Sequence, residues 1–267
     1  MGTSIEGVLT LAPTSYPKGV IFGDTSEPLH NEYEQSASQK YHFGTLLEYS
    51  DGRMFRYGQA GGDALSKALM TQGPALTTNI VAETQGTSGT SVEIGDQEII
   101  VDVTSASGIT DNSLADGSLI VETSTGIGDL YKILACELLT ATTARILLER
   151  KIRTAWAAGT VISMMPSEYD GVLVVPDTAA SSDNVATGVP LIAVTEAYYC
   201  WLQTGGRCPL IIDTSETPAV SNNVGRPTSC QVPGACGVQT AGTFGIWGQV
   251  VYTAGEGKAA IIDLCLD

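Results

Sequence analysis

A chain of 267 residues, 43% hydrophobic and only 16% charged, has apolar material for one large or two modest cores. Its abundance of Gly, Ser and Thr suits many short strands better than long helices. A net charge of −16 speaks against nucleic acid and anionic membrane surfaces as partners, since both are bound by positive faces.

Residues 1–40 read as an extended arm. Pro13, Pro17 and Pro28 punctuate it, and Gly19–Phe22 is its one strand candidate. Such a segment is ordered by packing on another surface or not at all. Aromatic residues along it and just beyond it, Tyr16, Phe22, Tyr33, Tyr41 and Phe43, are its candidate contacts. The opening MGTSIEGVLT has neither the basic region nor the apolar run of a signal peptide. No apolar segment approaches the length of a membrane span. The six cysteines are therefore expected to be mainly reduced and mostly buried. Cys230 and Cys236 are near enough in the chain to close a small loop, but the intervening QVPGA is too generic to require it.

Tyr41 to Gly62 reads as a hairpin turning on Asp51-Gly52. A two-residue type I′ turn there predicts Glu48 opposite Phe55 and Leu47 opposite Arg56. One face then carries Leu46, Phe55 and Tyr57, and the other Leu47, Tyr49 and Met54. Both faces are apolar enough to need cover. Asp63–Met70 follows as the best helix candidate, short and capped by Asp63.

Residues 76–166 have a different texture. Strand-like runs at Ser91–Ile94, Glu98–Val103, Ser118–Glu122, Asp129–Cys136, Thr143–Glu149 and Gly159–Met164 alternate with Gly/Asp turns. This spacing predicts a sandwich or small barrel of its own, inserted into a domain formed by 41–75 and 167–267. In the returning part, Gly188–Val194 and Ala197–Gln203 are strand candidates, and Gly205-Gly206 is expected to turn the chain into a strand that Pro209 places at an edge or leaves weakly paired there. Phe244–Thr253 and Lys258–Leu266 form a closing pair, the last strand being central. The expected fold is all-β, sandwich or small barrel, with an arm and at most one short helix.

Catalytic patterns are sparse. His30 and His42 are the two histidines, and neither has metal-ligand spacing to another His or Cys. Gly86-Thr87-Ser88-Gly89 is not a nucleophile elbow, and Gly126-Ile127-Gly128 reads as a turn rather than a dinucleotide loop. Asp111, Asn112 and Asp116 lack helix-loop-helix calcium spacing, and turn formation accounts for them. No metal, cofactor or enzymatic activity is expected. Arg145, Arg150, Lys151 and Arg153 place four of the 13 basic residues together, a site for a carboxylate partner or a neighbouring subunit. Trp156, Trp201 and Trp247 are either a sugar-stacking surface or core anchors.

Gly44-Thr45, Asp51-Gly52-Arg53, Phe55-Arg56-Tyr57 and Ala60-Gly61 together resemble head-associated structural proteins of tailed bacteriophages. The run GVPLIAVTEAYYCWLQTGG (188–206) resembles the same group, whose members carry a Val-Pro start and a Tyr-Tyr-Gly-Trp-Leu-Gln core. Here Cys200 stands at the Gly position. The resemblance covers the opening hairpin and the last third of the chain, and says little about 76–166. It implies a capsid decoration (cement) protein: β-rich, homotrimeric, bound to the major capsid protein on the outer surface of the virion and assembled in the host cytoplasm. The negative charge is compatible with the outer face of a shell that holds DNA inside. The alternative is a head or tail fibre module binding host glycans, which requires an exposed aromatic platform on 76–166. A hydrolase would require His30 or His42 beside a nucleophile.

Overall fold

The structure is a computed structural model, and it describes residues 20–22, 30–74, 83–85, 91–103, 109–123, 125–175, 184–212, 227–232, 234–238, 247–252 and 257–267. Among these residues every regular element is a β-strand, so the fold is all-β. The chain divides into two compact units, one spanning Leu76–Ser167 and the other joining Tyr16–Ala75 to Glu168–Asp267. Residues 1–15 lie outside the described set.

Before the insertion run β1 (Val20–Phe22), β2 (Leu46–Glu48), β3 (Met54–Gln59) and β4 (Thr71–Gln72). Within it run β5 (Glu83–Gln85), β6 (Glu98–Asp102), β7 (Ser118–Val121), β8 (Leu130–Thr140), β9 (Thr143–Leu148) and β10 (Val161–Met165). After it come β11 (Leu173–Val174), β12 (Ala186–Pro190), β13 (Tyr199–Ile211), β14 (Pro227–Val232), β15 (Ala235–Val238), β16 (Gly248–Tyr252) and β17 (Ala259–Cys265).

In the discontinuous unit the sheet order is β1-β2-β3-β13-β17-β16-β14-β15, with β12 also on β13, and β4 pairing β12 and β11. The strand candidate at Gly19–Phe22 is thus β1, paired in parallel with β2. The hairpin forms, but its register is one residue from the expected one: Leu47 faces Phe55 and Glu48 faces Met54. Tyr49 N–H donates to the Arg53 carbonyl at 3.0 Å, which leaves a three-residue loop, Ser50–Gly52. Only Gly52 of that loop has positive φ, at 85°. A type I′ turn needs two such residues, and there Asp51 would meet the Cβ clash that Gly52 escapes. The slip exchanges faces. Leu47, Phe55 and Tyr57 now share one fully buried face, with Tyr49 packed against it.

Two further expectations are corrected. Residues 63–70 are not helical. Leu65 makes an isolated bridge to Val194, Ala68 donates to the Pro190 carbonyl, and Ala68 sits at φ 60°. Bonding to neighbouring segments has outweighed a weak local helix propensity. Gly205-Gly206 is not a turn either. It lies inside β13, a single 13-residue strand whose first half pairs with β3 and whose second half pairs with β17. The β3 ladder stops at Gly205, so at Pro209 β17 is paired on one side and β3 no longer asks for a donor on the other, where a missing N–H is tolerated.

A bulge at Thr204 separates the halves of β13. Trp201 belongs to the larger core, and the extra residue flips the alternation so that Cys208 and Leu210 return to that side. On the opposite face Cys200 and Leu202 join Ala60, Leu65, Val172 and Val194. The first half of the strand is therefore covered on both faces, as its apolar Tyr199–Leu202 run requires. At the centre of the larger core Tyr41, Tyr57 and Trp201 meet pairwise, with ring centroids 5.0–5.2 Å apart.

The inserted unit is a closed antiparallel barrel, β10-β5-β6-β9-β8-β7. Alternate residues fill it: Ile99 and Val101, Leu119 and Val121, Ala144, Ile146 and Leu148, Ile162 and Met164. A bulge at Leu134 lets both Ile133 and Cys136 point inward from β8. The run expected at Ser91–Ile94 is reduced to one bridge, Val92 to Trp156, followed by a turn.

Candidate interaction surfaces

Residues 30–45, on the border between arm and hairpin, are tied to the discontinuous unit by several bonds. Ser36 and Tyr199 exchange backbone bonds at 3.0 and 2.9 Å. Lys40 N–H donates to Tyr57 Oη at 3.1 Å, and Trp201 Nε1 donates to the His30 carbonyl. The buried Glu32 carboxylate accepts from Tyr49 Oη at 2.5 Å and meets Arg53 at 3.3 Å. Arg53 in turn holds Asp51 at 2.7 Å and lies 4.7 Å from the Tyr49 ring centroid. This Arg53 contact keeps the Asp51 carboxyl below its ordinary range. Burial, then the Glu32 bond, pushes the Tyr49 phenol up.

The candidate contact residues separate by this packing. Tyr41 and Phe43 are buried in their own unit, and Tyr33 is 60% exposed. Phe22 lies in β1, and Tyr16 is outside the described residues. Arg145 is used within the barrel wall, bridging Glu98 and Glu137 at 3.1 Å each, one on either neighbouring strand. Arg153 is exposed, reaches Asp129 at 2.8 Å and stands 5.9 Å from the Tyr131 ring centroid. Its backbone N–H donates to Tyr131 Oη. Arg150 and Lys151 are exposed and enter no ion pair among the described residues.

Sequence reasoning missed four structural polar residues. Glu32 and Arg53 form the clasp just described; the Asp-Gly-Arg motif was the available signal for Arg53. Asp267 accepts from Arg56 at 2.8 Å and from Thr204 Oγ1. Gln203 is fully buried and donates through Nε2 to the carbonyls of Gly205 and Arg207, both at 3.0 Å, which props the β13 bulge open.

Of the chemistry-bearing residues, His30 is buried edge-on to Tyr57, with neither ring nitrogen bonded among the described residues. His42 is also buried. Trp156, Trp201 and Trp247 are all buried, as core anchors are. The barrel sequence has two aromatic residues, Tyr131 and Trp156, and both are buried, so neither offers the stacking platform that glycan binding there would need. Asn112 and Asp116 serve as turn residues with φ of 64° and 60°, and Asp111 accepts the Leu138 N–H. No group of three potential metal ligands occurs among the described residues. Gly126 and Gly128, at φ of 91° and 85°, form the turn between β7 and β8. Cys136, Cys200 and Cys208 are buried thiols, and Cys265 is exposed. Burial pushes the Cys200 thiol up to about 12. Cys230 stands directly opposite Cys236 in the β14–β15 pair. No protein-family model, curated protein or solved structure matches the chain.

Proposed function

We propose that this chain is a virion structural protein that binds the outer surface of a tailed-phage capsid as a trimer and clamps major capsid protein subunits together. The observation that carries the reading is a pairing. The two stretches that resemble head-associated proteins are far apart in the chain, yet they form adjoining strands: Tyr57 opposite Trp201, Gly58 opposite Cys200 and Arg56 opposite Leu202. They thus lie side by side in one sheet, which supports reading them together. The Cys200 departure is accommodated here, because its neighbour Gly58 has no side chain and the thiol enters the Ala60–Leu202 cluster. Exposed Tyr33, Arg150, Lys151 and Arg153 are the contact candidates that remain at the surface.

Repeated weak contacts from a trimer would supply the avidity that a clamp needs. Cryo-electron microscopy of the source particle tests the reading. The expected result is density for the six-stranded barrel and the long sheet outside the shell, at junctions between capsid subunits. Finding the protein inside the shell, or missing from purified particles by mass spectrometry, would overturn it. Deleting residues 1–19, which keeps β1 and the packed 30–45 segment, then measures what the leading residues add to capsid affinity.

A further inference from the structure

Three loops converge at one end of the barrel. Val92 and Trp156 exchange backbone bonds at 3.1 and 2.9 Å, Gly95 N–H donates to the Ile152 carbonyl at 3.0 Å, and Ile152 N–H donates to the Asp96 carbonyl at 2.7 Å. Arg153 holds Asp129, just past the Thr125–Gly128 turn, at 2.8 Å. Two patches of opposite sign therefore lie side by side. The first is the turn Glu93–Asp96, with Ile94 69% exposed between two carboxylates. The second combines the exposed cations Arg150, Lys151 and Arg153 with Ile127 and Leu130, which are 71% and 59% exposed.

An exposed isoleucine or a charge run is ordinary surface when it stands alone. Here Ile94 stands between two carboxylates, while Ile127 and Leu130 flank an Asp129 that Arg153 neutralises, so the unspent charge beside them is that of Arg150 and Lys151. A surface that carries both halves of a contact fits another copy of itself. The charge balance makes the same choice. Net charge of −16 repels a second copy broadly, but three of the 13 cations sit within residues 150–153. Among the described residues neither Glu93, Asp96, Arg150 nor Lys151 spends its charge on an internal ion pair.

We infer that this end of the barrel is an interface between copies of the chain, the Glu93–Ile94–Asp96 turn of one copy seating on the Arg150–Lys151 and Ile127–Leu130 strip of the next. The inference rests on the trimer of the proposed reading and locates its interface; the charge-reversal variants test the interface, whereas electron microscopy of the particle tests the capsid. Both side chains of each charge pair lie on exposed loops, so reversal leaves the barrel core untouched.

Size-exclusion chromatography with light scattering on the full chain tests it. The expected result is an oligomer at low salt that dissociates as salt rises. Arg150→Glu with Lys151→Glu weakens association at least about tenfold, Glu93→Lys weakens it comparably, and all three changes in one chain restore it. Ile94→Asp abolishes it, and circular dichroism shows each variant folded. A chain that stays monomeric at about 100 µM in low salt overturns the inference. So does an oligomer indifferent to both Ile94→Asp and the Arg150/Lys151 reversal, or a failure of the triple variant to recover.

Discussion

His30 is buried against Tyr57 with both ring nitrogens unpartnered among the described residues, while its own carbonyl serves Trp201. Burial lowers its pKa below the ordinary 6.5; Glu34 opposes that shift and Lys40 adds to it. Between the lowered folded value and 6.5 the unfolded chain binds the extra proton. The neutral ring's contribution is therefore complete above 6.5 and is lost as pH falls from there through the folded value. His30→Phe keeps the volume and removes the buried polar atoms. Its melting temperature is expected to exceed the wild type's by more at pH 5 than at pH 8; an equal difference at both would refute this account. Two glycines show how the same substitution differs by site. A Cβ on Gly117 would lie 2.2 Å from the Met165 carbonyl oxygen, backbone against backbone, so Gly117→Ala should cost about 3 kcal/mol or more. Gly52 has open space around it, and Gly52→Ala should cost only its left-handed φ, about 1–2 kcal/mol by denaturant unfolding.

At the scale of elements, β13 is the organising strand, and its bulge lets it serve two ladders and two cores. Gln203 holds the bulge by bonding two carbonyls on its far side. Gln203→Leu preserves bulk but leaves those carbonyls without their donor, and should lower stability by about 1–3 kcal/mol. The loss should fall on the β13–β17 half, seen as faster amide exchange there than at β2–β3. Uniform exchange across the sheet would assign the bulge no special part. The Glu32–Tyr49–Arg53 clasp acts similarly for the hairpin: it joins the 30–45 segment to the loop through a carboxylate that is almost wholly buried.

At the scale of the whole molecule, the chain leaves the discontinuous unit near Ala75 and re-enters it near Glu168. The two ends meet, since a Cβ on Gly73 would come within 2.9 Å of the Glu168 carbonyl oxygen. Each unit also has its own core, without shared members. Replacing Leu76–Ser167 by a Gly/Ser linker of about 4–6 residues should therefore leave a unit that unfolds cooperatively and keeps the near-ultraviolet dichroism of its buried tryptophans. Loss of the cooperative transition would show that the sheet depends on the barrel.

Alternation and turn residues were enough to read the all-β class, most barrel strands, the closing β16–β17 pair and the Gly126–Gly128 turn. These depend on local period and backbone freedom, which a sequence carries directly. The hairpin register, the uninterrupted path of β13 and the non-helical 63–70 segment were not legible. The register turned on a left-handed φ that Asp51 does not adopt, and the other two were decided by partners distant in the chain: Gly205-Gly206 by the change from β3 to β17, Leu65 by Val194. The candidate surface shows the same division. Composition singled out the cluster from Arg145 to Arg153, but only the folded barrel separates Arg145, consumed between two glutamates, from the cations left facing outward. Local chemistry sets what a residue can do, and long-range pairing sets which neighbours it meets.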